Sequence, residues 1–103
     1  MTIVTIPFRP AFREPLLSGV KRCTARTKRM GAGGDRFIAF DQWFDLTSVT
    51  EEPLSFVADL WLQEGCTSRA HFIEVWESIH PGKGYRPEQV VFLHWFKLVE
   101  VGR

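Results

Sequence analysis

The sequence predicts an α+β domain: a small curved sheet or partly closed barrel of five or six strands, with two helices at its openings. Several short segments alternate apolar and polar residues, or run continuously apolar with β-branched and aromatic side chains. Only two segments repeat apolar residues at helical spacing, too few to cover both faces of a doubly wound parallel sheet. The length is the third observation. At 103 residues, 45% of them hydrophobic and including nine Phe and four Trp, the chain has apolar surface for one core and thus one domain, residues 1–103.

Thr2 to Phe8 alternates as a strand does, and Pro7 puts its end near a sheet edge. Phe12, Leu16 and Leu17 then recur at helical spacing within Pro10 to Ser18, with Gly19 as the stop. Lys21 to Thr27 reads as a strand with small Cys23 and Ala25 on one face and Arg22, Thr24 and Arg26 on the other, so that its polar face is cationic. Lys28 to Asp35 is glycine-rich and is expected to be a flexible connector or lid, followed by strands over Arg36 to Phe40 and Phe44 to Thr50. Glu51-Glu52-Pro53 breaks the pattern, and the apolar run Leu54 to Leu62 is short enough for a buried strand. Thr67 to His80 is the clearer helix, with Phe72, Ile73, Trp76 and Ile79 on one side, Thr67 or Ser68 as cap, and Pro81-Gly82 as terminator. Gln89 to Val101 is almost unbroken apolar sequence, as expected of a long strand buried on both faces.

The composition argues against several classes of function. A chain this apolar can offset its ordering entropy, so disorder is not expected. No run approaches the roughly 18 apolar residues of a membrane helix, and Met1 to Phe8 does not read as an export signal. Two cysteines, Cys23 and Cys66, are too few for a secreted disulfide framework, and a reducing cytoplasmic setting is expected. His71, His80 and His94 show no metal-ligand spacing, Gly31-Ala32-Gly33-Gly34 matches neither a P-loop nor a dinucleotide fingerprint, and no metal or cofactor is expected.

Charge is unevenly spread. Residues 1–36 hold eight basic side chains against two acidic ones, whereas the chain as a whole nets only +1. Such segregation builds a surface that attracts phosphates, unless the acidic remainder folds alongside and neutralises it.

Four features in order now carry a resemblance: an apolar start ending in Phe8; Leu16-Leu17-Ser18-Gly19 leading into Lys21, Thr24 and Arg26; a Gly34-Asp35 turn; and Glu64-Gly65-Cys66-Thr67-Ser68 before a helix. Together they resemble the ASCH family, a relative of the PUA domain, over most of the chain. The resemblance implies a PUA-like small β-barrel and a role with RNA or nucleosides. Arg22 and Ala25 depart from the usual pattern, and Glu64 aligns with a one-residue gap. Some small members of that family are amidohydrolases of N4-acetylcytidine, and the residues matching their proposed catalytic set are Lys21, Thr24 and Glu64.

Two uses of these residues are open. In a binding site, Lys21, Arg22, Arg26 and Arg29, with Lys28, would hold phosphates, Thr24 and Glu64 would hydrogen-bond a base or ribose, and Trp43, Trp61 or Tyr85 would stack on it. In a hydrolase, Thr24 would attack the acyl carbon with Lys21 as its base, made neutral by burial or by Arg22 and Arg26. Glu64, ionised near a helix amino terminus, would relay the proton. A regular strand turns Lys21 and Thr24 to opposite faces, so they share a site only if Lys21 belongs to the turn after Gly19. Cys23 beside the cations is either a reactive thiolate or a small inward-facing strand residue. His94 reads as a satisfied core histidine. A basic half that docks an acidic protein partner is the third reading, and the oligomeric state is not legible.

Overall fold

Residues 1–99 are described by the structure, a computed structural model, so Glu100 and Val101 of the long carboxy-terminal strand lie outside the described residues. That strand, β4 (Val90–Leu98), is the spine of the fold. It pairs antiparallel with β1 (Cys23–Arg26) on one side and β3 (Gln42–Pro53) on the other, and β2 (Arg36–Ala39) completes the order β1-β4-β3-β2. A register shift between Leu46 and Ser48 bends β3 against β4, and the sheet curls into a half-barrel.

Both faces of β4 are covered, as its unbroken apolar sequence predicts. Val91 and Leu93 pack with Cys23, Leu54, Val57 and Trp76, whereas Phe96 faces Ile6, Leu16, Phe37, Phe44 and Leu46. Phe37 stacks on Phe44 with centroids 5.1 Å apart, and Phe96 meets both edge-on, the arrangement that ring quadrupoles favour.

The α+β class and half-barrel agree with the sequence reading, but the element count among the described residues differs: four strands and three helices rather than five or six strands and two. Thr2 to Phe8 makes only an isolated parallel bridge, Ile3 to Arg36, closed by Val4 N–H to Arg36 and Arg36 N–H to Thr2 carbonyl bonds. Leu54 to Leu62 is not a strand but begins with α2 (Leu54–Asp59), whose buried Leu54, Val57 and Ala58 follow a helical spacing that a run of apolar residues conceals. The two expected helices are α1 (Arg13–Ser18), preceded by a 3-10 turn at Pro10–Phe12, and α3 (Arg69–Ile79). Gly19, at φ 84°, ends the first in the left-handed region, and the Ser68 side chain caps the second by accepting from the His71 N–H.

The glycine-rich loop is tied down along its length rather than free. The Met30 N–H donates to His94 Nε2 (2.9 Å), the Ala32 N–H to Asp35 Oδ2 (2.9 Å) and the Gly34 N–H to the Leu46 carbonyl (2.8 Å). Gly33 presses on β3 so closely that a Cβ there would stand 2.8 Å from the Thr47 carbonyl oxygen. Gly33→Ala is therefore expected to destabilise the fold by about 1–3 kcal/mol, the usual cost of overpacking, and urea denaturation checks this.

Candidate functional site

Gly19 turns the chain so that Lys21 precedes β1 instead of belonging to it, with its N–H bonded to the Pro15 carbonyl (2.9 Å). Strand alternation thus does not fix the direction of its side chain. On the other side, the turn after α2 delivers Glu64 through Glu64 N–H to Leu60 and Gly65 N–H to Leu62 carbonyl bonds. Gly65 sits at φ 85°, and a Cβ would lie 3.0 Å from Lys21 Cβ and 3.1 Å from its Cδ. Only glycine lets this turn close against the lysine.

Lys21 and Glu64 form a buried ion pair, Nζ to Oε1 3.1 Å, with the residues 3% and 5% exposed. Lys21 Nζ also donates to the Cys23 carbonyl (3.0 Å) and to the Glu64 carbonyl, which accounts for the three N–H groups of an ammonium. Among the described residues, Glu64 Oε2 has only a distant thiol, Cys23 Sγ at 4.0 Å. The Thr24 hydroxyl, also buried, accepts from Arg26 Nε (3.2 Å), and the Arg26 guanidinium donates onward to the Pro7 carbonyl (2.6 Å). Burial lowers the Arg26 pKa from its ordinary value, and the Glu64 charge opposes that shift. The cations sit over aromatic rings, Lys21 4.7 Å from the Phe12 centroid and Arg26 5.0 Å from that of Phe8.

These groups open into a cavity of about 450 Å³, within the range of small-molecule sites. Phe8, Phe12, Phe72, Trp76 and Ile79 give it apolar walls; Lys21, Thr24, Arg26 and Glu64 supply the polar groups. Arg9 and Lys28, both exposed, line it as well. Among the described residues, no three His, Cys, Asp or Glu side chains lie close enough together to share a metal ion.

The chain matches no family model and no curated protein. Solved structures do match. The crystal structure of an ASCH domain from Lactobacillus crispatus JV V101 superposes with a TM-score of 0.65 at 18% identity, over 82% of this chain and 68% of that one. Protein EF3133 from Enterococcus faecalis V583, assigned to DUF984, superposes with a TM-score of 0.56 at 16% identity, over 84% of this chain and 68% of that one. The fold is ASCH-like.

Within this ASCH-like fold, Lys21, Thr24, Arg26 and Glu64 line one cavity. Arg22 and Arg29 are exposed and are not among the residues that line it. Trp61 and Tyr85 instead pack on the core beneath the helices, and Trp43 lies at the far β2–β3 edge, so none of the expected stacking residues reaches the cavity. Phe8, Phe12 and Trp76 take that place. A cue to two of them was in the sequence, since Phe8 and Phe12 come just before the short helix that leads to Lys21. Glu64 owes its setting to Lys21 and not to a helix amino terminus, for Gly65 to Ser68 intervene before α3.

Cys23 is fully buried and its thiol is pushed up, first by burial and then by the Glu64 charge, which outweigh the neighbouring cations. Cys66 is pushed up to about 11, again chiefly by burial. The structure thus favours the inert reading of Cys23.

Proposed function

We propose that the cavity binds the base of a nucleoside or of a nucleotide in single-stranded RNA. The observation that carries this reading is the buried Lys21–Glu64 pair, opening with Thr24 into an aromatic-walled cavity. A buried ion pair is a poor way to stabilise a fold, so its presence at a cavity wall favours a task there. Glu64 Oε2 is left to accept from an exocyclic amino group, and the Thr24 hydroxyl proton is left to donate. Aromatic walls suit base stacking, while Arg9 and Lys28 are placed for a phosphate. The ASCH resemblance of the sequence motifs points to the same ligand class.

Hydrolysis of an N4-acylated cytidine is the second reading, favoured by Lys21, Thr24 and Glu64 lining one cavity. It asks for more rearrangement. Lys21 already donates three hydrogen bonds, and Thr24 accepts from Arg26 instead of giving its proton to a base. Binding needs neither group to change state.

Titration of intrinsic tryptophan fluorescence, to which Trp76 in the cavity wall contributes, with cytidine, N4-acetylcytidine and a short single-stranded RNA, with products followed by chromatography, decides between them. Saturable binding without turnover is expected. Thr24→Val, which keeps the shape and removes the hydroxyl, weakens it by roughly tenfold. Release of acetate from N4-acetylcytidine would replace the binding reading by the hydrolase, and no saturation by any of the three ligands would overturn both.

A further inference from the structure

The main-chain edge of β1 has an opening that the side chains of the site do not account for. In an antiparallel pair, residues alternate between those that exchange backbone bonds with the partner strand and those whose N–H and C=O point away from it. The Phe96 N–H donates to the Arg22 carbonyl (3.0 Å), which sets the phase. Thr24, opposite His94, therefore faces β4, whereas Cys23 and Ala25, opposite Trp95 and Leu93, turn their backbone groups outward. Since β1 is an edge strand, no further strand lies there among the described residues.

At Cys23 the outward groups are satisfied, the N–H by the Gln63 carbonyl (3.2 Å) and the C=O by Lys21 Nζ (3.0 Å). At Ala25 the outward N–H and C=O have no hydrogen-bond partner among the described residues, yet Ala25 is half-buried and lines the cavity. An unpaired donor and acceptor on one residue form the two-point pattern that a neighbouring strand normally completes.

We propose that Ala25 reads the ligand through its main chain, its N–H donating to a ring nitrogen or carbonyl and its C=O accepting from the adjacent N–H of a planar amide- or amidine-like edge. The edge of a nucleobase has that pattern. The proposal rests on the reading that the cavity takes a base, and adds what holds the base in plane.

The opening is too short for an added peptide strand. Lys21 and Gln63 close it at Cys23, and the Arg26 bond to the Pro7 carbonyl holds Pro7 to Arg9 at the cavity wall. Ala25 and Thr27 are the outward residues that remain, a span of roughly 7 Å at the usual rise per residue. Strand addition draws its affinity from a longer row of main-chain bonds. A stacked base needs one such pair, and aromatic walls are at hand.

Amide NMR of the full chain tests this, titrating with cytidine, with 3-deazacytidine, which lacks the ring acceptor, and with a capped valine-rich hexapeptide. Saturating cytidine is expected to move the Ala25 amide proton downfield and slow its exchange, with 3-deazacytidine binding roughly three- to tenfold more weakly. An amide-to-ester replacement of the Ala25 N–H by semisynthesis should weaken cytidine to a similar extent. Shifts at Lys21, Thr24 and Glu64 with Ala25 unmoved would overturn the main-chain contact while leaving the cavity as a base site. Absence of any shift with nucleoside, and with the short single-stranded RNA added in the same way, would overturn both, and protection of Ala25 by the hexapeptide alone would make the edge a strand-addition site instead.

Discussion

Lys21→Met is expected to cost about 3–5 kcal/mol of stability, because it strands the Glu64 carboxylate in a site where that residue is only 5% exposed. Three interactions go together: the ion pair and the Nζ bonds to the Cys23 and Glu64 carbonyls. For a domain of this size, such a loss lowers Tm by about 12–24 °C in calorimetry. It is a large part of the roughly 5–15 kcal/mol that holds a typical domain folded. The double variant Lys21→Met with Glu64→Gln should recover much of the loss, since it removes both charges and leaves an amide of similar shape. Recovery would show that the single variant suffers from an uncompensated charge rather than from lost packing. The double variant also separates stability from function: folded but unable to bind, it would mark the pair as kept for the ligand. A single variant melting within a few degrees of the wild type would show that Glu64 escapes to water, and the pair would no longer be a fixed part of the cavity.

How far the site was legible in the sequence depended on what kind of information placed each residue. Periodicity located α3 and the two-sided burial of β4, because helix and strand repeats are local. It failed at Leu54 to Leu62, where nearly every residue is apolar and both repeats fit; the helix is decided by Leu54, Val57 and Ala58 finding the core together. Lys21 and Thr24 would have been assigned to opposite faces by alternation alone. The Gly19 turn, which releases Lys21 from the strand, resolves that conflict and was readable as a condition but not as a fact. Glu64 lies 43 positions from Lys21, so their meeting was visible only through the order of motifs that resembles a known family. The aromatics were misplaced for the same reason. Trp76 lines the cavity from α3, whereas Trp43 and Tyr85, chosen because they lie near predicted strand ends or loops, do not line it, although Trp43 is exposed.

Acidification from pH 7.5 to 5.5 should weaken the fold through His94, a side chain the sequence marked as a satisfied core histidine. The ring is fully buried, with Nε2 accepting from the Met30 N–H at 2.9 Å and Nδ1 3.2 Å from the Thr24 carbonyl and 3.0 Å from that of Phe92. Nδ1 therefore carries the proton and the ring is neutral, since a second proton would set N–H against N–H at Met30. Burial lowers its pKa below 6.5; the two carbonyls oppose the shift, and the charges of Arg26 on β1 and Arg29 on the loop add to it. The unfolded chain then takes up a proton that the folded chain refuses. Stability is complete above the unfolded value of about 6.5 and is lost as pH falls toward the lower folded value, at no more than about 1.4 kcal/mol per pH unit. His94→Gln keeps an acceptor for Met30 but no titrating ring, so its urea midpoint should vary less with pH than that of the wild type. Comparing the two also cancels whatever His71, His80 and the carboxylates contribute. Met30 and Lys28 line the cavity, so a proton on His94 would loosen a wall of the site before the sheet itself gives way. Amide exchange at Met30 that quickens between pH 6.5 and 5.5 in the wild type, and not in His94→Gln, is the expected result. Equal pH slopes in the two proteins would place the acid sensitivity elsewhere.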